Sequence, residues 1–255
     1  MEKYFKRKMN KKIYFISDAH LGSLMVKNAR EQEKRLVQWL DKIKNEAGAL
    51  YLLGDMFDFW YEYRLVVPRG FTRFLGKLSE LSDMGVEIHF FIGNHDIWTF
   101  DYLQNEIGMK IHRKPYITEI YGKKFFLAHG DGLGDPSLHF KLIRALFHNR
   151  LAQILFSTLH PRIGVGIGLL WSKHSRKKKE NGFSENYLGE NKEHLVQFAK
   201  NYTNEHIDFF VFGHRHIVLD LELKTKSRIA IVGDWMKLFS YGVFDGDSFS
   251  IEQAD

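Results

Sequence analysis

The sequence predicts an α/β sandwich from three observations: short apolar runs alternate with amphipathic segments, several of those runs end in similar polar clusters, and one helical stretch interrupts the pattern. "KIYFIS" reads as a first strand. An amphipathic stretch from Asn28 to Asn45, with Leu36, Trp39, Leu40 and Ile43 on one face, reads as a helix, and "ALYLLGD" as a second strand. Strand, helix, strand implies a parallel pair with a right-handed crossover. "VEIHFFIGNHD", "KKFFLAHGD", "DFFVFGHRH" and "RIAIVGDW" are further core strands.

Residues 136–204 contain no convincing strand and read as two or three helices, an insertion within a single domain spanning residues 1–255. From His139 to Leu159 the apolar positions Phe140, Leu142, Ile143, Leu146, Phe147, Leu151, Ile154 and Leu155 recur every three or four residues. Lys141, Arg144, His148 and Arg150 occupy the other side. "HPRIGVGIGLLW" and the basic "KHSRKKK" follow.

A chain of 255 residues can bury a substantial core, and 44% apolar with 27% charged residues is a soluble globular composition. The absence of cysteine excludes disulfides and thiolate metal sites and fits a reducing compartment, so a cytoplasmic location is expected. Any metal must be held by nitrogen and oxygen. A net charge of +6 suits an anionic partner: nucleic acid, a phosphorylated substrate or an acidic lipid surface. "MEKYFKRKMNKK" is basic without an apolar core, so it reads as a solvated arm and not a secretory signal. Charges break every apolar stretch well before the roughly 18 residues of a membrane span, so the chain is not expected to cross a bilayer.

The polar clusters carry the chemistry. "FISDAHLGS" delivers Asp18 and His20, "LYLLGDMFDFW" Asp55, "FFIGNHD" Asn94, His95 and Asp96, "FFLAHGDGLGD" His129, and "FVFGHRH" His214 and His216. An aspartate behind a strand more often caps a turn than binds a cation, so one such stretch says little. Jointly they say more, because the C-terminal edge of an open α/β sheet is where ligands bind and all five sets should meet in one crevice. Two cations about 3.5–4 Å apart need one bridging anion, with imidazole, amide oxygen and a second carboxylate around it. Nitrogen and oxygen donors without sulfur fit manganese, iron or zinc.

These blocks, in order, resemble the signature of the calcineurin-like metallophosphoesterases over residues 13 to 216. The resemblance implies a metallophosphoesterase-type β-sandwich flanked by helices, with a helical insertion. It puts Asp18, His20, Asp55 and His216 on one divalent ion and Asp55, Asn94, His129 and His214 on the other, with Asp55 as the bridge. It also makes His95 face the scissile phosphate as a catalytic residue, with Asp96 holding its ring.

Within that superfamily "FISDAHLG", "GDMFDFW", "HGDGLGD" and the insertion look most like the UDP-2,3-diacylglucosamine hydrolases of lipid A synthesis. That likeness implies a manganese-dependent hydrolase giving UMP and 2,3-diacylglucosamine 1-phosphate from a nucleotide-linked glycolipid. It implies an enzyme peripheral on the cytoplasmic face of the inner membrane, with no nucleic-acid partner. The best-known members carry arginine where this chain has His95. "ENKEHL" resembles a stretch in which the family's lysine contacts substrate, which makes Lys192 a candidate alongside Asn94 and His95. An acyl slot would draw on Phe140, Ile143, Phe147, Leu155 and Trp171, and "SRKKK" would gain about 1 kcal/mol per charge near anionic lipid. A nuclease or cyclic nucleotide phosphodiesterase on the same metal core is a second enzyme reading. A non-catalytic protein-binding scaffold is a third, and it should lack ligands where this chain keeps all seven.

Overall fold

The computed structural model describes residues 11–134, 138–180 and 186–254, with backbone alone at 138–141 and 177–180. The basic arm lies almost wholly outside the described residues. Two sheets face each other. The first is formed by β1 (Lys12–Ile16), β2 (Ala47–Leu52), β3 (Glu87–Phe91), β4 (Lys110–His112), β10 (Ser240–Phe244) and β11 (Phe249–Gln253), in the order β11-β10-β1-β2-β3-β4. The second is formed by β5 (Tyr116–Ile120), β6 (Lys123–Ala128), β7 (Phe209–Phe212), β8 (Val218–Glu222) and β9 (Arg228–Val232), in the order β5-β6-β7-β9-β8. β1, β2 and β3 run parallel, as do β6, β7 and β9.

Alternation along each central strand feeds two layers. Ile13 and Phe15 of β1 point between the sheets, where they meet Phe125 and Leu127 of β6 and Phe209 and Val211 of β7. Tyr14 and Ile16 point outward into a second apolar layer shared with α1 (Ala29–Ile43) and α2 (Thr72–Asp83). The outer face of the second sheet is covered by α7 (His194–Lys200), whose Leu195, Val196 and Ala199 pack with Phe210 and Phe212. Burial on both faces makes these strands read as continuous apolar runs. α1 buries Leu36, Trp39, Leu40 and Ile43, and Asn28 caps it by accepting the Glu31 N–H at 3.2 Å.

Between β6 and β7 the described residues run through α4 (Leu138–His148), α5 (Arg150–Ser157), α6 (Pro161–Glu180) and α7. The 139–159 periodicity is split at Asn149, whose side chain accepts the Ala152 N–H at 3.1 Å and starts α5. The α4–α6 group is tied to the sandwich by polar bonds: the Trp98 indole N–H donates to the Phe147 carbonyl and the Tyr61 hydroxyl to the Gln153 carbonyl, each at 2.8 Å. α6 lies close on the segment 58–63. A Cβ at Gly168 would strike the Phe59 ring, so only glycine lets the helix approach that far.

Candidate active site

Six parallel-strand ends open on one rim. β1 leads to Asp18 and His20, β2 to Asp55, β3 to Asn94, β6 to His129, β7 to His214 and His216, and β9 to Asp234. Five of these residues sit in left-handed backbone: Asp18 at φ 55°, His20 at 43°, Asp55 at 53°, His214 at 66° and His216 at 52°. Each such residue costs on the order of 1–3 kcal/mol and persists only where its surroundings over-determine it. Here the loops brace one another. Asp18 N–H donates to the Gly54 carbonyl at 3.1 Å, His20 N–H to the Asp55 carbonyl at 2.9 Å, and His214 N–H to Asp18 Oδ2 at 2.8 Å. Gly54, at φ 90°, runs so near the site that a Cβ there would lie 2.8 Å from His129 Nδ1.

The side chains form overlapping groups of potential donors, each within 4.8 Å: Asp18, His20 and His216; His20, Asp55 and His95; and Asp55, His129 and His214. Asp55 is central, with Oδ2 3.7 Å from His20 Nε2 and 3.3 Å from His129 Nε2. Asp18 Oδ1 lies 3.3 Å from His216 Nε2, and His129 Nε2 lies 3.2 Å from His214 Nδ1.

The donor set fits divalent cations. His129 Nδ1–H donates to the Leu53 carbonyl at 2.8 Å and His216 Nδ1–H to Asp234 Oδ2 at 3.3 Å, so in both neutral rings the Nε2 lone pair points at a carboxylate. A lone pair facing an anion needs a positive charge between them. Asp18 Oδ1 and Asn94 Oδ1 are buried without a hydrogen-bond partner among the described residues, acceptors with nothing yet to accept. With no cation beside the carboxylates, a proton on the His129 ring takes that place. Burial alone would lower the His129 pKa, but the Asp55 carboxylate outweighs it and raises it to about 10. Burial opposes ionisation of Asp55 too, yet His129, His95 and His20 hold it well below the carboxylate range. Asp96 is pushed up to about 7 by burial, then by Asp55.

The sequence pattern of the calcineurin-like phosphoesterases matches residues 11–218. The chain belongs to the calcineurin-like phosphoesterases. It is 45% identical to the UDP-2,3-diacylglucosamine hydrolase of Porphyromonas gingivalis W83, over 97% of this chain and 99% of that protein. It is 27% identical to the UDP-2,3-diacylglucosamine hydrolase of Haemophilus influenzae Rd, over 89% of this chain and 92% of that one. Among solved structures, Yfce, a phosphoesterase from E. coli, aligns with a TM-score of 0.45 at 18% identity, covering 96% of this chain and 93% of that chain.

In this phosphoesterase the seven expected donors lie on the common rim, but three other expectations meet different surroundings. Asp96 does not hold the His95 ring. Its fully buried carboxylate accepts the Gly93 N–H at 2.7 Å and the Met56 N–H at 2.8 Å, donors that would otherwise be stranded. The His95 ring is held instead by the Asp58 carbonyl, 3.0 Å from Nδ1. Lys192 is exposed ahead of α7, and no contact joins it to the seven. Its neighbour Glu193 is the buried one, accepting two bonds from Arg215, at 2.7 and 3.1 Å, inside the Gly-His-x-His loop. Phe147 is half-buried, packed edge-on to Trp98 and Trp171, whereas the side chain of Phe140 lies outside the described residues.

Four residues that sequence reasoning passed over stand against the convergent donors or their partners. Asp234 follows β9 in "VGDW", the same strand-Gly-Asp signal that picked out Asp55. Asp58 is the second carboxylate of "GDMFD" and is 1% exposed. Arg176 sits in the run read as basic, and Ser172 just ahead of it, yet Ser172 Oγ–H donates to Asp58 Oδ2 at 2.9 Å and the Arg176 guanidinium pairs with Asp58. Their signal was the fourfold spacing Gly164, Gly168, Ser172, Arg176, one face of α6.

Proposed function

We propose that the chain hydrolyses UDP-2,3-diacylglucosamine, adding water across the pyrophosphate to release UMP and 2,3-diacylglucosamine 1-phosphate. The observation that carries this reading is the full-length 45% identity to the Porphyromonas gingivalis hydrolase. The convergent donor set supports it, and no described position of that set is replaced by an inert residue.

In this reading Asp18, His20, Asp55 and His216 hold one divalent ion and Asp55, Asn94, His129 and His214 the other, with manganese the favoured metal. The chemistry such a pair supplies is polarisation of phosphoryl oxygens and acidification of a water. The chain's residues do the rest. Asp55 carries the shared negative charge, while Asp234 and the Leu53 carbonyl fix the tautomers of His216 and His129. The Asp58 carbonyl lies 3.0 Å from His95 Nδ1 and sets the ring beside His20 and Asp55, and in this reading His95 stabilises charge on the scissile phosphate or protonates the leaving oxygen.

The α4–α6 group is read as a lid for the acyl chains. Leu142, Leu151, Leu155 and Leu170 each leave more than half their surface exposed, and in this reading they form one apolar ridge beside Arg144, Arg150 and Arg162 of the same helices. Such a ridge suits acyl chains and the cytoplasmic surface of the inner membrane. No helix among the described residues is long and apolar enough to cross a membrane. Incubation of purified protein with UDP-2,3-diacylglucosamine and manganese should release UMP. Activity confined to short RNA or a cyclic nucleotide would refute the proposed substrate.

A further inference from the structure

His20 sits in a hydrogen-bond chain that begins on α6. Arg176 Nη2 lies 2.8 Å from His20 Nδ1, and an arginine can only donate, so Nδ1 accepts. The ring proton is then on Nε2, 3.3 Å from His216 Nε2, whose own proton is on Nδ1 and donated to Asp234. Every donor in the chain meets an acceptor. Ligation of a cation by His20 Nε2 demands the opposite tautomer, with the proton on Nδ1, and Asp58 Oδ1, 3.5 Å away, is the acceptor placed for it.

The guanidinium is inserted between these partners. It reaches them from a partly buried position, its side chain 14% exposed, and also donates to Ser172 Oγ at 3.2 Å. The face of α6 that carries it, Gly164, Gly168, Ser172 and Arg176, is held on Asp58 and Phe59 by close packing.

We propose that Arg176 is a positioning residue that competes with Asp58 for His20 Nδ1, so that docking of α6 sets the tautomer of a metal-ligating histidine and opposes cation binding there. The inference rests on the metal assignment made above. Its consequence is reciprocal: whatever cation binding gains from withdrawal of Arg176, α6 loses in docking. A guanidinium beside a cation site adds a repulsion of the same sign.

Two readouts test it. In protein stripped of metal, nitrogen-15 NMR of the histidine rings should show His20 protonated at Nε2, and Arg176→Met should move the proton to Nδ1. By titration calorimetry, Arg176→Met should bind manganese roughly fivefold tighter or more. Gly168→Leu, which leaves the guanidinium intact but pushes α6 off Phe59, should also tighten binding. Amide exchange in α6 should speed up when manganese is added to the wild-type protein. An unmoved His20 tautomer, or metal binding no tighter than wild type in either variant, would overturn the inference. Wild-type protein that binds no manganese at all would instead overturn the metal assignment itself.

Discussion

His216 Nδ1 stands 3.3 Å from Asp234 Oδ2, while the other oxygen of Asp234 accepts the backbone N–H groups of Met236, Lys237 and Leu238 at 2.9, 2.7 and 3.0 Å. One carboxylate thus orders the β9 loop and aims the last histidine of the Gly-His-x-His block. Asp234→Asn keeps an oxygen for the loop but loses the charge that fixes the ring. Manganese affinity measured by calorimetry should fall by about 10–100-fold, with the secondary structure intact by circular dichroism.

Asn94 Oδ1 is buried without a partner among the described residues, so this side chain costs stability unless something is bound. Asn94→Ala should therefore leave the thermal midpoint of metal-stripped protein unchanged or raised while lowering turnover by orders of magnitude. His214→Ala should lower turnover similarly. Wild-type rates in either variant would remove it from the site.

Trp171 is 57% exposed on α6, its ring centroid 6.1 Å from that of Phe147 at the edge of the apolar ridge. Trp171→Ser should reduce kcat/KM for the diacylated substrate and retention on anionic vesicles, while leaving hydrolysis of a water-soluble phosphodiester near wild type. Equal loss on both substrates would show that the ridge supports the fold and not the lipid.

On neighbouring strands β3 and β4, His89 Nδ1 and His112 Nε2 lie 2.9 Å apart, with Tyr116 against both rings. Burial, then His89 and Lys110, lowers the His112 pKa to about 4. Below pH ~6.5 the unfolded chain takes up a proton that the folded ring refuses, so stability is full above that pH and is lost as pH falls towards 4. The half-exposed ring is screened by water, which leaves a contribution of about 1–2 kcal/mol. Urea titrations at pH 7 and 4.5 should show a smaller acid loss in His112→Gln than in wild type.

The strands most buried on both faces were the ones legible as apolar runs. β4, β5, β8 and β11 went unread because they are sheet edges whose residues are only partly buried and so make no continuous apolar run, and β10 because it joins the sheet antiparallel to β1, far back in the chain. The seven donors were legible because each follows its strand within a few residues, so local order alone puts them at one sheet edge.

What the sequence by itself determined is the set of groups able to hold cations and the edge on which they gather, since both follow from strand polarity and residue chemistry. Only the tertiary structure decided how those groups are oriented. Asp234, Asp58 and the Asp96 carboxylate act through bonds between separate loops, and Arg176 reaches His20 across 156 positions of sequence. Hydrogen bonds and close packing are matters of ångströms between segments, and a pattern along one chain carries no such distances.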